Sequence, residues 1–100
     1  MVSDRPRLRF LREAEVDFHE ALRFYNRRDR DVARRFDRLV KRATVLILDS
    51  PGRWPTRNGS HRYAVRKFPF TVAYLFEDDV VSIIAVAHHK RDPASWEHRR

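Results

Sequence analysis

The chain contains no cysteine and only two glycines and five prolines in its 100 residues. The lack of cysteine excludes disulfide bonds and thiolate metal sites, and it fits a reducing cytosol. So few glycines and prolines argue against a disordered or low-complexity chain. No apolar run approaches the roughly 20 residues of a membrane-spanning helix, and residues 1–6 lack the apolar stretch of a secretory signal. We therefore expect one cytoplasmic domain, residues 1–100, without a membrane segment.

Positive charge is present in excess. The 22 lysines and arginines outnumber 14 acidic residues, which gives a formal net charge of +8, and 19 of the basic residues are arginines. Such a balance favours a polyanionic or acidic partner, namely RNA, DNA or an acidic protein segment. Genomic base composition and solvated helix faces produce the same excess. The charge therefore restricts the class of partner, but it does not indicate whether the protein acts by binding or by catalysis.

Two amphipathic helices are predicted in the first half of the chain, after a candidate strand at residues 8–11. Acidic Glu13 and Glu15 lie where a helix N-terminus prefers them, and the charged run of residues 27–31 predicts the turn between the helices. Asp29 or Asp31 is the candidate cap of the second helix. The first helix has one apolar face, formed by Ala14, Phe18, Ala21, Leu22 and Tyr25.

The second helix is the clearest element of the sequence. It must end near Asp49, because Pro51 and Gly52 disfavour continuation. Neither helix can bury its apolar face alone, so each needs the other or a sheet. Four side chains of the second helix are predicted to lie in the core: Phe36, Leu39, Val40 and Ile47.

The second half of the chain predicts a loop at residues 51–60 and then three strands. Short connections at Phe68-Pro69 and residues 77–79 make consecutive strands antiparallel neighbours. The predicted order is β-α-α-β-β-β, an α+β fold in which the hairpin of residues 13–49 packs on a small antiparallel sheet of residues 61–88. Period-two alternation marks the three strands, at residues 62–66, 70–76 and 80–88.

The order of the C-terminal motifs resembles the toxins of the RelE/ParE superfamily, the toxic halves of bacterial type II toxin–antitoxin modules. The resemblance covers about residues 8–97 and implies the same α+β order. Such toxins divide by activity: RelE-like members cut mRNA in the ribosomal A site, whereas ParE-like members inhibit DNA gyrase without cutting RNA. The motifs are a strand led by Arg62, a Phe68-Pro69-Phe70 corner followed by Tyr74, and a last strand ending at His88 before Arg91-Asp92-Pro93 and Trp96.

Thr71 decides between the two branches. RelE-like nucleases commonly place an arginine three residues before the tyrosine that corresponds to Tyr74, and this chain has Thr71 there. Loss of a donor that stabilises the developing phosphorane charge costs ~2.7–4 kcal/mol in comparable oxyanion sites. We therefore expect a ParE-like gyrase inhibitor of a plasmid-stabilisation type of system, neutralised by a cognate antitoxin, and no enzyme. Two alternatives stay open: a non-toxic basic binding module, or a ribosome-dependent mRNA endonuclease that uses Arg62, Arg66, Lys67 and His88.

Candidate partner-binding residues are all arginines. Arginine forks bind carboxylates and phosphates in a bidentate manner, and a solvated surface is the alternative for each position. The partners that the resemblance implies are an antitoxin and gyrase, or the ribosome and mRNA for the nuclease, with a dimer or a toxin–antitoxin hetero-oligomer as assemblies. No cofactor is expected, and adjacent His88 and His89 point to opposite strand faces, which makes a metal site unfavourable. The candidates are Arg34, Arg38, Arg42, Arg62, Arg66, Arg91, Arg99 and Arg100.

Overall fold

The computed structural model describes residues 5–100 and has the predicted α+β order. A short 3₁₀ turn at Pro93–Ser95 follows the last strand. No helix within the described residues is long and apolar enough to cross a membrane. The elements are β1 (Arg7–Phe10), α1 (Arg12–Arg28), α2 (Arg30–Asp49), β2 (Thr56–Arg57), β3 (Ser60–Ala64), β4 (Phe70–Glu77) and β5 (Val80–His88).

The sheet is mixed, with the strand order β1-β5-β4-β3-β2. The antiparallel pairing predicted for residues 61–88 is confirmed, and the loop predicted at residues 51–60 contains the two-residue strand β2. Strand β1 lies parallel to β5, with Leu8 opposite Val81. The whole helical hairpin and three strands separate β1 from β5 along the chain. No tight turn therefore constrains their relative direction, and the sequence pattern alone did not predict it.

The two helices are joined by Asp29 alone, a tighter turn than the run of residues 27–31 predicted. The Asp29 side chain accepts hydrogen bonds from the backbone N–H groups of Asp31, at 2.8 Å, and Val32, at 3.4 Å. These bonds satisfy donors that a helix N-terminus otherwise leaves open. The backbone N–H of Asp29 closes α1 by donating to the carbonyl of Tyr25. One side chain therefore ends one helix and begins the next.

The core lies between the hairpin and one face of the sheet, and an aromatic cluster is at its centre. Phe36 is fully buried, and its ring centroid lies 4.9 Å from that of Phe70 and 5.2 Å from that of Tyr25. The burial predicted for Phe36, Val40 and Ile47 is confirmed. The prediction for Leu39 is wrong, because its side chain lies at the margin of the apolar stripe and is only partly buried.

Candidate functional site

The face of the sheet away from the hairpin is the candidate site. Phe70 and Val72 point at the helices, so Thr71 between them points to the opposite face. Residues 89–100, the C-terminal tail, lie over that face and enclose a cavity of ≈ 230 Å³. Thr71, which was expected to separate a gyrase inhibitor from a nuclease, lines this cavity. The other lining residues include Arg57, Arg62, His88, His89, Arg91 and Trp96, although the ring of His88 packs against Phe70.

Arg62 is engaged by the C-terminal tail. Its Nη2 lies 3.4 Å from Glu97 Oε1, and its guanidinium carbon lies 4.8 Å from the ring centroid of Trp96. The Nη2 group also donates to the Arg57 carbonyl at 3.4 Å, whereas the buried Nε has no hydrogen-bond partner. Only 17% of the Arg62 side chain is exposed. The guanidinium therefore holds the tail on the sheet, with one N–H group left unpaired inside.

Arg66 and Lys67 do not join Arg62 and His88. Strand β3 ends at Ala64, so Arg66 and Lys67 are exposed in the turn that leads to β4. Lys67 has a φ of 67°, in the left-handed region that non-glycine residues seldom adopt. The predicted strand of residues 62–66 would have placed Arg62 and Arg66 on one face, and this is wrong because the strand ends before Arg66. Of the four residues proposed for a nuclease, the structure brings only Arg62 and His88 to one cavity.

His88 ends β5 as a half-buried boundary residue. Its Nδ1 accepts a hydrogen bond from the backbone N–H of Lys90 at 3.0 Å, and the centroids of its ring and that of Phe70 are 5.1 Å apart. Because Nδ1 is an acceptor here, a neutral ring carries its proton on Nε2. Among residues 5–100, no group of three histidine or carboxylate side chains is placed to hold a metal ion.

Asp17 is the functional-site candidate that the sequence analysis missed. It lies on α1 with only 6% of its side chain exposed, yet both of its carboxylate oxygens bind arginine. Oδ1 accepts from Arg91 Nη1 at 2.9 Å, and Oδ2 accepts from Arg99 Nη1 at 2.8 Å and from the backbone N–H of Val86 at 3.1 Å. We call this set the Asp17 clamp. It connects the hairpin, β5 and the C-terminal tail.

The clamp covers a stretch of β5 that is paired with β4 on one side and has no neighbouring strand on the side of β1. The Leu11 N–H donates to the Ile83 carbonyl, and beyond this point β1 no longer accompanies β5. The register also shifts here, since Ala73 pairs with Ala85 whereas Tyr74 pairs with Ile83. Ile84 is therefore an extra residue in β5, a β-bulge.

Arg99 supplies a hydrogen-bond donor for the backbone carbonyl of the bulged residue, Ile84. Arg99 Nη1 donates to the Ile84 carbonyl at 2.9 Å, and Asp17 receives the N–H of Val86 two residues later. Unpaired strand edges are otherwise open to pairing with another chain.

One sequence signal marks Asp17 as unusual: it lies three residues after Ala14 and four before Ala21, on the apolar side of α1.

The remaining candidate arginines differ in how freely they meet solvent. Arg34, Arg38 and Arg42 are exposed along α2, and Arg34 Nη1 reaches Asp31 at 3.5 Å. Arg100 is exposed as well. Arg99, in contrast, has 9% of its side chain exposed within the clamp. Their partner-binding role stays a prediction, and for Arg99 the internal contacts favour a positioning role.

Comparison with known proteins identifies relatives of this architecture. Residues 8–93 match the sequence model of a family described as "ParE toxin of type II toxin-antitoxin system, parDE". No curated protein sequence matches the chain. A solved structure titled "Chromosomal ParDE TA system from P. aeruginosa" contains a similar chain, with a TM-score of 0.73 and 12% identity. The match covers 83% of this chain and 95% of that chain. At such low identity the likeness shows the fold, including the two helices packed on a mixed sheet.

Proposed function

The chain belongs to the ParE toxin family of type II toxin–antitoxin systems, and from this premise we propose that it inhibits DNA gyrase by binding. A cognate antitoxin neutralises it in the bacterial cytoplasm. The toxin contributes no bond-making chemistry of its own in this proposal. Gyrase inhibition is what the resemblance to ParE-like toxins implies, and the charge of +8 supplies a surface for acidic partners.

One observation carries the choice of inhibitor over nuclease: neutral Thr71 lies in the cavity where RelE-like nucleases carry an arginine. RNA cleavage by a 2′-hydroxyl requires a base, an acid and fixed positive charge beside the phosphorane. Arg62, a candidate cation that lines the same cavity, already faces Glu97 and the Trp96 ring. A hydroxyl in place of a guanidinium donates fewer hydrogen bonds and carries no charge.

The nuclease remains the second candidate because Arg62 and His88 line the same cavity. Arg57 and Arg91 also line it, so the wall is rich in positive charge. A rearranged site would use His88 as acid or base and an arginine as the charge stabiliser. The arrangement lacks a contribution from Arg66 or Lys67, which are in the exposed turn.

Two assays on the purified protein separate the candidates. We expect inhibition of gyrase supercoiling and no codon-dependent cleavage of mRNA on translating ribosomes. The His88→Ala variant, checked for an intact fold by circular dichroism, should inhibit growth about as strongly as the wild type. Codon-specific cleavage by the wild type that is lost in folded His88→Ala would overturn the proposal and establish the nuclease.

A further inference from the structure

The outer side of α2 is a continuous basic surface. The stripe that contains Phe36, Val40 and Ile47 is buried in the core, so the opposite side of the helix meets solvent. Arg38 lies at the centre of that side. Its neighbours on the helix surface, one turn before and one turn after it, are all basic. We call the set the basic face, and its members are Arg34, Arg35, Arg38, Lys41 and Arg42.

Positive charge is concentrated around this face. Residues 23–42 contain nine basic and three acidic residues, a net charge of +6 out of +8 for the whole chain. Two members of the face have carboxylate partners: Asp31 Oδ1 lies 3.5 Å from Arg34 Nη1, and Asp37 Oδ2 lies 3.0 Å from Lys41 Nζ. The other three have none within ion-pair distance among residues 5–100, and they are Arg35, Arg38 and Arg42.

This arrangement works against the stability of the helix. Like charges three or four residues apart destabilise a helix, and exposed helix surfaces commonly alternate the two signs of charge instead. Arg38 has basic residues at all four of these positions, three and four residues before it and three and four residues after it. An anionic partner would remove the repulsion and pair with three free guanidinium groups. The basic face therefore fits an anionic ligand better than it fits water.

We propose that the basic face binds the phosphate backbone of duplex DNA, and that the toxin thereby engages gyrase together with the DNA that gyrase holds; this second step rests on the proposed function. Arg35 and Arg42 are seven residues apart, about 10 Å along the helix axis. Phosphates of one DNA strand follow each other by about 3.4 Å along the duplex axis, so about three lie within this length. The three free guanidinium groups match that number.

The composition of the face favours duplex DNA over other partners. Proteins that bind single strands usually stack the bases on aromatic side chains, whereas the one aromatic residue of α2, Phe36, is fully buried. A protein partner needs apolar surface to bury, and beside the basic face only Val45 of α2 is apolar and exposed, at 39%. Two copies of the chain that met through this face would bring like charges together. The backbone of a duplex, in contrast, requires only positive charge.

The test measures binding of the purified protein to a fluorescent DNA duplex of about 20 base pairs, by anisotropy at roughly 50 and 200 mM salt. The neutral variant is Arg35→Gln/Arg38→Gln/Arg42→Gln. A charge-retaining variant replaces the same three residues with lysine, which binds phosphate as a point charge. Half-maximal inhibition of gyrase supercoiling is measured for the same proteins.

The matched control is Arg7→Gln/Arg12→Gln/Lys90→Gln. It makes the same change in net charge at three exposed positions, on β1, at the start of α1 and in the C-terminal tail. Thermal unfolding of every variant without DNA is followed by circular dichroism, because it reports both the integrity of the fold and the repulsion around Arg38.

We expect the neutral variant to raise Kd for the duplex by at least about tenfold at the higher salt concentration. It should also reduce the slope of log Kd against log salt by roughly two to three, about 0.9 for each lost phosphate contact. The lysine variant and the control should stay within about threefold of the wild type. Half-maximal inhibition of supercoiling should require at least about fivefold more of the neutral variant, in line with its weaker DNA binding.

The neutral variant should at the same time melt about 2 °C higher than the wild type, because it relieves the like-charge repulsion around Arg38. The control should show no such rise. Higher stability together with weaker DNA binding is what a ligand site predicts and what a merely structural role of these arginines does not. A neutral variant that melts lower than the control would contradict the repulsion on which the proposal depends.

Four outcomes overturn the assignment of the basic face. The first is a wild-type protein that does not bind the duplex at the lower salt concentration. The second is an unchanged Kd in the neutral variant, or an equal loss in the control. The third is tighter binding of single-stranded RNA of the same length than of the duplex. The fourth is loss of binding to DNA-free gyrase in the neutral variant, which assigns the face to a protein surface. A wild-type protein that binds the duplex through this face but leaves supercoiling uninhibited contradicts the proposed function and leaves the DNA-binding face intact.

Discussion

The two faces of the sheet are covered in different ways. On the hairpin face, aromatic rings pack on one another, and the ring of Phe36 touches those of Tyr25, Phe68 and Phe70 at centroid separations of 4.9–5.2 Å. On the opposite face, the strands present small residues such as Thr71 and Ala87, and the C-terminal tail lies over them. Polar contacts fasten that tail, through the Arg62–Glu97 pair and the Asp17 clamp.

The difference matters because removal of an apolar contact and removal of an ion-pair partner have different energetic consequences. Apolar burial is non-directional, and its loss scales with the area and volume removed. A buried ion pair depends on both partners, and removal of one leaves the other charged and desolvated. We therefore infer that the hairpin face determines whether the chain folds. The clamp determines whether the tail stays on the folded sheet, and hence whether Arg62 and Trp96 remain covered.

Truncation of the central aromatic side chain should have the largest effect. Phe36→Ala removes a fully buried ring and should lower the free energy of unfolding by about 3–5 kcal/mol. Leu39→Ala, one turn away and only partly buried, should cost clearly less. Urea denaturation followed by far-ultraviolet circular dichroism measures both. Equal losses for the two variants would contradict the assignment of Phe36 to the core and Leu39 to its margin.

Removal of the clamp's carboxylate should have the next largest effect. Asp17→Ala leaves Arg91 and Arg99 without their buried partner and should lower the free energy of unfolding by about 3 kcal/mol. The tail should then detach first. Limited trypsin digestion with mass spectrometry should detect early cleavage after Arg91 while the rest of the chain stays intact.

The matched control for the clamp is Asp31→Ala. That carboxylate is also within reach of an arginine but is 89% exposed, so its loss should change stability by less than about 0.5 kcal/mol. An Asp17→Ala variant that resists trypsin as well as this control would show that the tail is held by Trp96 and Arg62 without the clamp. It would also remove the distinction drawn between the two faces.

The sequence predicted the hairpin face better than the tail face, for a physical reason. Helix stripes and alternating strands are local periodicities, so the two helices and the strands β4 and β5 follow from the order of residues alone. Single-residue burial at a stripe margin, as at Leu39, depends on how the partner surface curves. The direction of β1 depends on a crossover that no local signal describes.

The Asp17 clamp could not be predicted from local sequence patterns, because its members are distant in the chain. Arg99 is 82 positions from Asp17. The two meet only because β5 carries a bulge and extends beyond the end of β1. From the sequence alone, an arginine near a chain end cannot be distinguished from a solvent-exposed charge. The strand edge that it covers is seen only in the structure. Arg62 was likewise recognised as a candidate, but its engagement by Glu97 depends on the path of the tail. Only Asp17's position on the apolar side of α1 was visible in advance.

At neutral pH a smaller effect than those of Phe36→Ala and Asp17→Ala is expected for Tyr74, a tyrosine buried on the hairpin face. Tyr74 is fully buried, its hydroxyl donates to the carbonyl of Pro51, and burial raises its pKa to about 12 from an ordinary value of 10.0. The raised pKa means that the native state keeps the phenol protonated where the unfolded chain ionises it. Tyr74 therefore contributes full stability below pH 10, and this contribution falls as the pH rises from 10 to 12.

Tyr74→Phe tests whether such a buried polar contact matters on an otherwise apolar face. At pH 8 the variant lacks one hydrogen bond and should be less stable than the wild type by about 1 kcal/mol. At pH 12 the wild type should have lost up to about 3 kcal/mol through Tyr74, so the variant should become the more stable protein. Denaturation midpoints of the two proteins at matched pH measure this reversal, and titration of every other group cancels in the difference. A difference that stays constant from pH 8 to 12 would show that the Tyr74 phenol ionises alike in the folded and unfolded chains. The hairpin face would then depend on Tyr74 only through its ring.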